Sequence, residues 1–95
     1  MINVFGFNCN VIKEGVGKNT RYSLFSPEEG PVAVINIPSL NKSETVIAVK
    51  NYSKNAGMLE ALQEAGVVKE IVGYKKSGFV NIPIVEIDQA KMLAL

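Results

Sequence analysis

The sequence predicts a single α+β domain spanning residues 1–95: a largely antiparallel sheet of five or six strands with one helix packed on one face. Three observations lead there. Apolar residues recur at every second position in several short runs separated by turn residues. Only one segment has helical spacing. Ninety-five residues that are 47% hydrophobic are enough to fill one core without disulfide staples.

From Phe5 the chain alternates, with Phe5, Phe7, Cys9 and Val11 on one face and Gly6, Asn8 and Asn10 on the other, the period of a half-buried strand. Gly15, Gly17 and Asn19 supply turn chemistry. Tyr22 and Leu24 then alternate with Arg21 and Ser23, which predicts a long hairpin with an exposed, mobile loop. After the turn from Pro27 to Pro31, the run Val32 to Ile35 with Ile37 is apolar on both faces, and so is Val46 to Val49. Strands of that kind belong in the centre of a sheet.

The helix is expected between Ser53 or Asn55 as N-cap and Gly66 as C-terminal cap. Met58, Leu59, Leu62 and Ala65 form its apolar stripe, and Glu60, Gln63 and Glu64 its wet side. Beyond Gly66, "VVKEIVGY" and "FVNIPIVEI" flank a polar tip at Lys75–Gly78, which predicts a second hairpin. Pro83 lacks a ladder donor, so its strand is expected at an edge, or leaving the ladder there. Residues 89–95 are read as a helical turn or a frayed end.

The composition narrows function mainly by exclusion. Ten basic and nine acidic residues leave a formal charge of +1, so no global field attracts nucleic acid or an anionic membrane. The apolar runs fall far short of the roughly 20 residues that cross a bilayer. One cysteine and a first stretch without the charged head of a secretory signal point to the cytoplasm. "EGVGKNT" departs from a phosphate loop, since Ile12 stands where a glycine is required and Asn19 where a hydroxyl is. Cys9 has no histidine anywhere in the chain to act as its base, and its place in the alternation makes it a small core residue. Glu28 with Glu29, Glu60 with Glu64, and Glu86 with Asp88 read as solvated surface. These residues predict no enzyme, no metal and no cofactor.

What remains is a set of basic and aromatic positions. Lys50, Tyr52 and Lys54 precede the helix, and Tyr74, Lys75, Lys76 and Phe79 surround the tip of the last hairpin. Such interleaving can track a phosphate backbone and stack bases. It can also be lysines at exposed turns with aromatics packed inward. Tyr52, Lys54, Tyr74, Lys75, Lys76 and Phe79 are the candidate partner-binding residues.

The segments "NYSKNAGMLEALQEAGVV" and "SGFVNIPIVEID" bring out a wider pattern: Cys9-Asn10, the strand "VAVINIP", Asn51 before a helix that ends at Gly66, and Ser77-Gly78-Phe79 leading to Pro83. In this the chain resembles a family of short proteins of bacterial plasmids, phages and other mobile elements, known only as a domain of unknown function. The resemblance implies a genetic setting and no chemistry. With the residue reading, it leads to the expectation of a non-enzymatic binding protein that occupies a host protein or nucleoprotein complex, such as an anti-CRISPR inhibitor of bacterial defence. The alternatives are a nucleic-acid-binding accessory protein of replication or conjugation and a binder of a small anionic ligand. Pairing with a second copy to form a homo-oligomer is open to any of them.

Overall fold

A computed structural model describes residues 1–95 as α+β, with seven strands in two antiparallel sheets and two short helices. Strands β1 (Ile2–Val4), β2 (Phe7–Glu14), β3 (Arg21–Ser26) and β4 (Gly30–Val34) form a four-stranded meander in that order. Strands β5 (Val46–Ala48), β6 (Val68–Ser77) and β7 (Val80–Ile87) form the second sheet, in the order β5-β7-β6. Helix α1 (Met58–Glu64) lies between β5 and β6, and α2 (Gln89–Leu93) follows β7. The single sheet and single helix expected from the sequence are thus corrected to two sheets and two helices.

The first strand does not begin at Phe5. Phe5 and Gly6 both have positive φ (56° and 85°) and form a two-residue turn, so Ile2–Val4 is an additional strand paired with Phe7–Cys9. Cys9 and Val11 are buried as the alternation requires, whereas Phe5 and Phe7, at the turn, are exposed. The long β2–β3 hairpin and its exposed loop are as read. The two runs expected in the middle of one sheet, Val32–Ile37 and Val46–Val49, instead lie where the two sheets meet. Beyond β4, Ile35 donates to Tyr22 O while Lys50 donates to Ile35 O, and Asn36 bridges Val49. Being apolar on both faces therefore marks a seam crossed by the core.

Two asparagines bind that seam. Asn36 Oδ1 accepts from Tyr22 N at 2.8 Å, and its Nδ2 donates to Thr20 O at 2.9 Å and to Asn41 Oδ1 at 3.1 Å. Asn41 Nδ2 donates to Thr20 O at 2.8 Å, and Asn41 Oδ1 accepts from Ala48 N at 3.2 Å. Side chains thereby add to the few backbone bonds between the two sheets, among them Lys50 N to Ile35 O and Ile37 N to Ala48 O. Tyr22, fully buried, adds a third tie: its hydroxyl donates to Glu44 O at 2.6 Å and accepts from Gln89 at 2.9 Å.

Neither Ser53 nor Asn55 caps the helix. Residues 53–55 form a 3-10 turn, α1 starts at Met58, and Asn51 Oδ1 accepts from Leu59 N at 2.8 Å. Asn55 instead donates to Val34 O at 2.7 Å. The far end is as expected: Gly66, at φ 75°, lets Val67 N reach back to Leu62 O and Gly66 N to Gln63 O, a Schellman closure. Met58, Leu59 and Leu62 enter a core of sixteen buried residues that both sheets share. Residues 89–93 are helical, capped by Asp88, whose Oδ1 accepts from Lys91 N, and docked by the buried Met92.

Pro83 stands in the middle strand of its sheet, which corrects the expected edge position, while the alternative expectation, that the strand leaves a ladder there, agrees with the end of the β5 pairing beside it. The ladder to β5 stops at Ala48–Ile84, and Pro83 needs only its carbonyl there, accepting from Val49 N at 2.9 Å. No helix is long and apolar enough to cross a membrane.

Candidate interaction surface

The last hairpin is longer than its sequence signals. Lys75, Lys76 and Ser77 continue β6 and pair with Ile82, Asn81 and Val80, so the tip is Gly78–Phe79 rather than Lys75–Gly78. Gly78 has φ 60° while Phe79 keeps a negative φ, as a type II′ turn requires. The turn closes directly on the last ladder pair, Ser77 with Val80. It presents Phe79 completely to solvent.

Pairing assigns each candidate residue to a face. In an antiparallel ladder, directly opposed side chains point to the same side. Tyr74 with Pro83 and Lys76 with Asn81 share the face that continues from Val85 and Ile87, both in the shared core. Lys75 shares the opposite face with Ile82, Ile84 and Glu86. The expected cluster of Tyr74, Lys75, Lys76 and Phe79 is therefore divided: Tyr74 and Lys76 on one side, Lys75 on the other, Phe79 at the end.

All four are exposed, Tyr74 by 64%. The reading in which the hairpin aromatics pack inward does not hold for this arm. Ile71 and Val72 extend the apolar surface along β6, the outer strand of its sheet. No side chain from Glu60 to Ile87 makes a hydrogen bond or ion pair within the chain. Backbone pairing holds the arm, and its polar side chains are uncommitted. Its root is firm, because Ile82, Ile84, Val85 and Ile87 are buried.

The second candidate patch is separate from the first. Lys54 is exposed on the 3-10 turn, but Tyr52 is half-buried and packs against the small cluster of Ala48, Ile82 and Ile84. Tyr52 thus braces the root of the arm instead of offering a free aromatic surface.

A groove of about 420 Å³ on the outer face of the first sheet was not anticipated. Ile12, Phe25, Pro31 and Val34 line it, with the Arg21–Glu14 ion pair (3.1 Å) at one end. Its sequence signal was an apolar Ile12 on the face otherwise occupied by Asn8 and Asn10.

Cys9 is buried, and desolvation pushes its thiol further above its usual range, away from the reactive thiolate. No three His, Cys, Asp or Glu side chains are grouped to hold a metal ion. Glu28, Glu29, Glu60 and Glu64 are exposed, while Glu86 and Asp88 are half-buried, with Asp88 engaged as the cap of α2. No family model, curated protein or solved structure matches the chain.

Proposed function

We propose that this protein is a binding protein that acts by occupying a surface of a partner macromolecule, with the β6–β7 arm as its contact element. One observation carries the reading: Lys76 and Phe79 are exposed and uncommitted at the tight-turned end of a hairpin whose root is buried. Binding energy concentrates in a few anchors, aromatic ones above all, presented without disturbing a core. An exposed aromatic beside a lysine suits a protein or nucleoprotein surface of acidic character. In its sharper form the partner is a bacterial defence complex, a version supported by the resemblance to proteins of mobile elements.

The test compares wild type with a Lys76→Glu, Phe79→Asp variant. Both changes lie at exposed positions, so the melting temperature should stay the same. Protection of a phage or plasmid from an active defence system is expected from wild type and should be lost in the variant. Protection retained by the folded variant would remove the arm from the mechanism. Salt-sensitive binding of a single-stranded oligonucleotide by wild type alone would transfer the arm to the nucleic-acid reading.

A further inference from the structure

We infer that the open edge of β6 pairs with β6 of a second copy, antiparallel, about a two-fold axis between Val72 and Gly73. The first support is the direction of the backbone. Pro83 O accepts from Val49 N, so at Pro83 the main-chain groups of β7 face β5, and by alternation they do so again at Val85. The residues opposite them on β6, Tyr74 and Ile71, therefore aim their own N–H and C=O groups outward, at the open edge. In a regular strand, positions three apart would not both do so. They do here because the pairing shifts between Ile71 and Gly73, inserting Val72 as a bulge.

A bulge commonly guards an edge against arbitrary strands. Against a second β6 it makes the pattern self-complementary. With the axis between Val72 and Gly73, Ile71 of each copy meets Tyr74 of the other, backbone to backbone. Their side chains share one face, since Ile71 opposes Val85 and Tyr74 opposes Pro83. Both are large, apolar and exposed.

The second support is charge. On the other face Glu70 lies directly opposite Glu86 within the chain, an unfavourable like-charge pair, and neither makes an ion pair. Lys75 on that face is also unpaired. The same two-fold axis sets Glu70 of each copy against Lys75 of the other. That register meets the backbone and apolar requirements and pairs Glu70 with Lys75; Lys69, which stands toward Lys76 of the other copy, is inserted as a second bulge by the shift between Val68 and Glu70. The sheets join as β5-β7-β6-β6-β7-β5 with the two Phe79 tips at opposite ends.

Sedimentation from micromolar to millimolar concentration tests this. Wild type should pass from 10.3 kDa to twice that mass. Glu70→Lys should weaken the dimer roughly tenfold, as two attractive pairs become repulsive. The same change removes the clash with Glu86, so its melting temperature at low concentration should not fall, which separates lost association from lost folding. Adding Lys75→Glu should restore the dimer. A chain that stays at 10.3 kDa throughout, a dimer indifferent to Glu70→Lys, or a loss that Lys75→Glu does not repair would each overturn the inference.

Discussion

Between Thr20 and Asn55 the chain is tied by side chains at nearly every turn, whereas from Glu60 to Ile87 no side chain forms a hydrogen bond or ion pair. The first region contains the seam, where the backbone ladder is interrupted and Asn36, Asn41, Asn55 and Tyr22 add side-chain bonds. The second contains the β6–β7 ladder, which shifts register at Lys69 and Val72 but stays paired from Val68 to Ser77 without side-chain bonds. Where two sheets must be joined, polar side chains are consumed by the fold; where two strands stay paired along their length, they are left for a partner. The same contrast explains why the candidate contacts lie on the arm even though the seam is richer in polar groups.

The largest expected effect tests the core that both regions share. Leu62 is fully buried in the middle of α1, so Leu62→Ala should lower stability by roughly 2–5 kcal/mol in chemical denaturation. Val72→Ala on the arm, at a bulged and exposed position, should move it by no more than about 0.5 kcal/mol. Equal losses would mean that the outer strand of the arm is packed as tightly as the core both sheets share.

The seam itself is tested by Asn36→Ala. The change strands Tyr22 N and removes donors from Thr20 O and Asn41 Oδ1, all inside the protein. A loss of about 1–3 kcal/mol is expected, the cost of leaving Tyr22 N unpaired, while Thr20 O keeps Asn41 Nδ2 and Asn41 Oδ1 keeps Ala48 N. A loss below about 1 kcal/mol would mean that the backbone bonds from Lys50 N to Ile35 O and from Ile37 N to Ala48 O, with apolar packing, join the sheets without the Asn36 side chain.

Alkaline titration gives the smallest and most specific effect. Burial raises the ionisation of Cys9 above its usual value of 9.0 and that of Tyr22 above 10.0; for Tyr22, the Glu44 charge adds to the rise and the Gln89 hydrogen bond opposes it. A raised value in an acid that is neutral when protonated means that the unfolded chain releases its proton first. Stability is then complete below about pH 9 and declines as pH rises past the unfolded values toward the folded ones. Cys9→Ala should remove the onset nearest pH 9, and Tyr22→Phe the part that begins near pH 10. Urea midpoints that stay flat from pH 8 to pH 11 would contradict the burial of both groups.

Much of this architecture could be read from residue type and spacing. The apolar stripe of α1, the glycine that ends it, the β2–β3 hairpin and the buried place of Cys9 all follow from local periodicity, because each depends on neighbours within a few positions. The exposed aromatic and lysine positions of the last hairpin were legible for the same reason. Their division between two faces was not, since it depends on where β6 shifts against β7, and a bulge has no reliable signature in a run such as "KEIVGYKK".

Tertiary structure alone decided the rest. Asn36 within "VAVINIP" reads as a polar interruption of a strand; only the arrival of Asn41 and Ala48 shows it to be a clasp between sheets. Asn55 looks like a helix cap until Val34 O takes its amide. Pro83 looks like an edge residue until β5 ends beside it. In each case a polar group or a missing donor can be satisfied in several ways locally, and the choice falls to whichever distant backbone the fold brings within hydrogen-bonding distance.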